Sequence, residues 1–84
     1  MHRDLKPDNI LFRNLGDDEC VIADFGLGEY AHTKGYLYSR CGTPGYVAPE
    51  VANLKNPTEK YTVACDMFSL GVIFHILALR KTPF

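Results

Sequence analysis

Asp4, Asn9 and Asp24 bring three oxygen-bearing side chains to one short part of this chain, and Lys6 stands two residues from the first of them. Carboxylate and amide oxygens suit Mg²⁺, a hard cation that keeps waters and phosphate oxygens in its shell. Lys6 can neutralise a phosphate, while Asp4 can orient and deprotonate a hydroxyl. Hydroxyl, phosphate, magnesium and lysine together describe phosphoryl transfer, in which positioning and electrostatics carry most of the catalysis.

Those residues need elements to hold them. Ile10 to Phe12 reads as a short strand, and Asn14, Gly16, Asp17 and Asp18 as a turn. "CVIAD", Cys20 to Asp24, is a second, β-branched strand, so a hairpin sets Asn9 and Asp24 at facing strand ends. From Phe25 to Tyr46 glycine, tyrosine, serine and threonine follow no period, the mark of a long functional or mobile loop. Pro49 opens a short helix that runs on to Leu54. Thr58 or Thr62 caps the best helix, Tyr61 to Lys81, whose middle "MFSLGVIFHILAL" is apolar on every face. Such a helix is expected to be buried inside something larger than 84 residues provide. The fold class is α+β.

The totals narrow the function classes. Eighty-four residues make at most one small domain, burying about 60% of its unfolded surface. An apolar content of 46% with five Phe and five Tyr is that of a folded chain. A net charge of −1 advertises neither nucleic acid nor an anionic membrane as partner. Cys20, Cys41 and Cys65 are odd in number and widely spaced, which fits reduced thiols better than disulfides or a zinc site. The expected setting is cytoplasmic or otherwise intracellular, not secreted: no signal peptide precedes the charged opening, and no stretch reaches the ~20 apolar residues of a membrane span.

At these residues the chain resembles the middle of a eukaryotic protein kinase domain, over essentially its whole length. His2-Arg3-Asp4-Leu5-Lys6-Pro7-Asp8-Asn9 is similar to the family's catalytic loop, Asp24-Phe25-Gly26 to its magnesium motif, and Ala48-Pro49-Glu50 to the end of its activation segment. Each tripeptide alone is weak; the three in order, with a hairpin and then a long loop between them, are specific. The resemblance implies the large-lobe part of that fold, without the small lobe: catalytic loop and strand over 1–12, strand and magnesium motif over 20–26, activation segment over 27–50, buried helix over 61–81. It implies Asp4 as catalytic base, Lys6 as phosphate contact, Asn9 and Asp24 as metal ligands, and Leu11 beneath the adenine of ATP. Lys6 and "GTPGYVAPE" point to the serine/threonine branch, and "CGTPGYVAPE" to the calcium/calmodulin-dependent group. ATP, Mg²⁺, a protein substrate and an upstream kinase are the implied cofactors and partners.

Plainer roles stand beside these. The resemblance makes His2 a packing partner of Phe25, Glu50 a structural residue, and Asp66 a buried carboxylate that accepts catalytic-loop N–H groups. Ile73 and Leu77, one turn apart, read as core, and so does Leu11. Gly26-Leu27-Gly28 reads as a flexible joint, and Tyr30, Tyr36, Tyr38 and Tyr46 as packing residues. Arg3, next to Asp4, is expected to receive a phosphate through bidentate bonds. Ser39 is the first candidate to carry it and Thr33 the second, while Thr43 resembles the threonine that seats the substrate.

Departures matter as well. Phe68 stands where the family usually has tryptophan, and Arg80 where a glycine is expected. If that position needs a positive φ, the change costs about 1 kcal/mol. No glycine-rich loop, strand lysine or helix glutamate of the nucleotide site occurs in the chain. The expected function is therefore that of a serine/threonine kinase fragment, inactive by itself. The rival is a non-catalytic, truncated segment serving as a binding or regulatory piece. A pseudokinase parent is disfavoured by the intact Asp4, Lys6, Asn9 and Asp24.

Overall fold

A computed structural model describes residues 1–16, 18–28, 41–55 and 59–84. Pro7–Asn9 forms one 3-10 turn, which proline's fixed φ favours at its first position. The turn passes directly into β1 (Ile10–Phe12), which pairs antiparallel with β2 (Cys20–Ile22) in the register Ile10↔Ile22, Leu11↔Val21, Phe12↔Cys20. Two further bonds lengthen this ladder, Arg13 N–H to Glu19 O at 3.2 Å and Ala23 N–H to Asn9 O at 2.8 Å. The second one sets Asn9 against the residue just before Asp24.

A short helix α1 (Pro49–Ala52) and a long helix α2 (Ala64–Leu79) follow. Both are shorter than the sequence suggests. Asn53 closes α1 before Leu54. Helix α2 starts three residues after Tyr61, because Thr62 accepts the N–H of Ala64 on its hydroxyl (3.2 Å) and that of Cys65 on its carbonyl (3.0 Å). The alternative cap, Thr58, lies outside the described residues. At the far end Arg80 adopts φ +56°, so α2 stops two residues before Lys81, with the Arg80 N–H bonded to Ile76 O at 2.7 Å. The condition attached to the missing glycine is met: a side chain occupies a left-handed cap.

Ala48, Val51, Leu54, Tyr61 and Cys65 form the core, with Met1, Val47 and Phe68 packed on it. Cys65, Ser69, Val72 and Ile73 are the buried residues of α2, a stripe at helical spacing. Two expectations fail here. Leu77 is 71% exposed and Leu11 49% exposed, so neither is core. Leu77 continues the Cys65–Ser69–Ile73 stripe one turn beyond the residues that gather around α1, and apolar character alone does not say how far along an element its neighbours reach.

Between hairpin and helices runs the segment 41–48. Thr43-Pro44-Gly45-Tyr46 is a turn closed by Tyr46 N–H to Thr43 O at 3.1 Å, with Gly45 at φ +95°. Proline second and a positive-φ glycine third are the signature of a type II turn. Gly42, at φ +117°, leaves no room for a side chain. A Cβ there would lie 2.8 Å from Val47 Cγ2 and 3.0 Å from Arg3 O.

Candidate active site

The loop before β1 is anchored from α2. The Asp66 carboxylate accepts the backbone N–H groups of His2 (2.7 Å) and Arg3 (2.9 Å), one on each oxygen. His2 adds a second anchor. Its Nδ1 accepts the Asp4 backbone N–H at 3.1 Å, so the ring proton sits on Nε2 and is donated to Ala23 O at 2.8 Å. The same ring meets Phe25 edge-on, with centroids 5.0 Å apart. One buried imidazole thus ties the loop before β1 to the end of β2. Arg3 at φ +71° and Asp24 at φ +58° lie in the left-handed region, which stores about 1–3 kcal/mol of strain at each non-glycine residue. These bonds hold that strain in place next to the two carboxylates.

Asp4 and Lys6 converge on Thr43. The threonine hydroxyl donates to Asp4 Oδ1 at 2.5 Å, while Lys6 Nζ donates to the same hydroxyl at 3.1 Å and stands 3.9 Å from Asp4 Oδ2. Thr43 therefore joins carboxylate and ammonium from a segment 37 residues downstream of Lys6. Asn9, only 7% exposed, donates its amide N–H to Asp4 O at 2.8 Å, which turns Oδ1 the other way. Among the described residues nothing donates to that oxygen. Asp24 Oδ1 accepts the Gly26 N–H at 3.2 Å, leaving Oδ2 without a partner among them. One amide and one carboxylate oxygen at neighbouring strand ends fit Mg²⁺, which is typically held by one or two carboxylates plus phosphate oxygens. No group of three or more histidines, cysteines or acids suited to a metal occurs among the described residues.

Arg3 links three parts of the chain. Its backbone N–H goes to Asp66, its Nε donates to Leu27 O at 2.6 Å, and NH1 donates to the Tyr61 hydroxyl at 2.9 Å. Leu27 belongs to a turn closed by Gly28 N–H to Phe25 O at 2.9 Å, so the glycine-flanked joint after Asp24 is hydrogen-bonded. Burial pushes the Tyr61 phenol above its ordinary range; the Arg3 guanidinium opposes this, and the charge and hydrogen bond of Cys41 add to it. Cys65 is pushed up to about 11, by burial first and then by the charges of Asp66 and Glu50. A small cavity lies under this loop, lined in part by Arg3, Asp4, Thr43, Cys65, Asp66 and Ser69.

Of the residues singled out from sequence, Asp4, Lys6, Asn9 and Thr43 come together, with His2, Phe25 and Asp66 in direct support. Glu50 is solvent-exposed at the start of α1. Ser39 and Thr33, with Tyr30, Tyr36 and Tyr38, lie outside the described residues. Tyr61 and Ser69 were not foreseen. Ser69 donates to Tyr46 O at 2.6 Å and so fixes the end of the Thr43 turn on α2. The one available signal was their polarity: Ser69 interrupts an apolar helix three residues after Asp66.

The family model described as protein kinase domain matches residues 1–84. The chain belongs to the protein kinase domain family. Calcium/calmodulin-dependent protein kinase type 1 of Caenorhabditis elegans is 46% identical over 85 residues, covering 100% of this chain and 23% of that protein. A "Probable myosin light chain kinase" of Dictyostelium discoideum is 42% identical over 85 residues, covering 100% of this chain and 27% of that protein. This kinase chain thus spans about a quarter of the length of the curated relatives it matches. Both relatives are kinases by name, and the two-stranded sheet with its helices agrees with an α+β kinase fold. No helix among the described residues is long and apolar enough to cross a membrane.

Proposed function

We propose that these residues form the large-lobe part of the phosphoryl-transfer centre of a serine/threonine protein kinase, with ATP as donor and a protein hydroxyl as acceptor. The observation that carries the reading is the convergence of Asp4 and Lys6 on the Thr43 hydroxyl, beside Asn9. Asp4 accepts the proton of the substrate hydroxyl. The freed oxygen bonds to the γ-phosphorus as the bond to the β–γ bridging oxygen breaks, and ADP leaves with that electron pair. Lys6 offsets the charge of the transferring group, and Thr43 keeps carboxylate and ammonium in register until substrate arrives. Asn9 Oδ1 and the Asp24 carboxylate would hold Mg²⁺, which when bound neutralises phosphate charge. Regulation through Ser39, or secondarily Thr33, belongs to the same proposal: an upstream kinase adds the phosphate and Arg3 receives it.

The test is a chimaera in which residues 1–84 replace the matching segment of the Caenorhabditis elegans relative. It should transfer phosphate to protein serine or threonine, and Asp4→Asn should lower kcat by about 10²–10⁴-fold, the usual worth of a general base. A folded chimaera that binds ATP yet transfers nothing would favour the rival reading, a binding or regulatory piece.

A further inference from the structure

Tyr61 lies outside every motif that defines the site, yet it stands where the site's two halves meet. It is buried, 4% exposed, at the foot of α2. Its hydroxyl accepts Arg3 NH1 at 2.9 Å, and its ring packs in the core with Ala48, onto which Val47 also packs. Arg3 directly precedes Asp4, and Val47 and Ala48 end the segment that carries Thr43. The phenol therefore joins the two strands of chain whose side chains meet again at the Asp4–Thr43 hydrogen bond.

The geometry points to Tyr61 as a positioning residue: a clasp that sets segment 41–48 against the catalytic loop and so keeps Thr43 in register with Asp4 and Lys6. This rests on the catalytic reading of Asp4 given above. Three features make the hydroxyl, rather than the ring, the working part. The ring already packs in the core with Val51, Leu54 and Cys65, so removing the oxygen leaves that packing intact. Arg3 is held in a left-handed backbone conformation, and its guanidinium is steered from two sides, by Leu27 O and by Tyr61. Gly42, between Cys41 and Thr43, packs so closely on Arg3 O that a shift on one side must be transmitted to the other.

The closing experiment uses the chimaera with Tyr61→Phe, Arg3→Ala and both together. Tyr61→Phe should lower kcat about tenfold, leave KM for ATP within about twofold, and add little in the Arg3→Ala background, as neighbours in one network do. Amide hydrogen exchange supplies a readout independent of activity. Peptides covering residues 2–6 and 41–47 should exchange faster in Tyr61→Phe, while those covering β1 and β2 stay unchanged. Faster exchange confined to residues 59–65 overturns the clasp, even in a chimaera without activity, so its failure is separable from that of the catalytic reading. An active Tyr61→Phe chimaera with unchanged kcat, or losses that simply add, overturns it as well.

Discussion

Thr43 gives one hydroxyl to two charged partners, donating to Asp4 and accepting from Lys6. Thr43→Ser keeps that oxygen and should retain most activity in the chimaera. Thr43→Ala should lower kcat/KM for the protein substrate by about 10–100-fold, a charge-assisted hydrogen bond being worth about 1.5–3 kcal/mol; steady-state kinetics on the three proteins decides it. Gly42→Ala should be worse for folding than for chemistry. Its Cβ would lie within 3.0 Å of a backbone oxygen at a positive φ, and loss of the cooperative thermal transition would show it. At this scale the sequence was most informative where chemistry dictates residue type. Asp4, Lys6 and Asn9, which the structure brings together, could be singled out because few side chains offer a carboxylate, an ammonium or an amide. Tyr61 could not, because a tyrosine that bonds an arginine 58 residues away reads in sequence as one more core aromatic.

Helix α2 works through its stripe of Cys65, Asp66 and Ser69, and sequence showed only half of that. An apolar run reveals that a helix is buried somewhere; it cannot say that cover ends between Ile73 and Leu77, which share one face a turn apart. The hairpin is more legible, since turn formers bound its strands, although β2 ends at Ile22 rather than Asp24; the exposure of Leu11 depends on what lies beyond the strand. Asp66→Asn replaces one acceptor of a backbone N–H with a second donor. It should cost about 1.5–3 kcal/mol in denaturant unfolding of the chimaera, together with faster exchange at His2 and Arg3. Arg80→Gly should do the opposite, stabilising by about 1 kcal/mol as the left-handed cap loses its Cβ. Cys65 gives a pH dependence whose sign follows from its raised thiol. The unfolded thiol ionises near its ordinary 9.0 and the folded one near 11. The native state alone holds the proton between these values. That stability is therefore full below about pH 9 and falls by about 1.4 kcal/mol per pH unit toward 11. Cys65→Ala should flatten this slope, measured by denaturant melts at pH 8 and pH 10.5.

The whole chain exposes 6110 Å² of surface, against about 5000 Å² for a compact chain of this size. Met67, Phe74, Leu77 and Leu79 of α2, with Phe12 and Ile22 of the hairpin, account for much of the apolar share. Residues 1–84 alone should therefore self-associate and transfer no phosphate, the motifs that clamp ATP from the other side being absent from the sequence. Light scattering and a radiolabel assay would check both, and Mg²⁺-dependent transfer abolished by Asp4→Asn would refute the second. One bond described above also sets a timetable. Asp66 meets the His2 amide across 64 residues. A ribosome adding about 5–20 residues per second makes His2 wait about 3–13 s before its acceptor has been made at all. The loop before β1 cannot mature locally on the growing chain; its geometry is delivered late, by a helix synthesised after the other residues that meet there. Pulse-labelled exchange on arrested nascent chains should accordingly find the His2 and Arg3 amides open until α2 has emerged, and protected only afterwards.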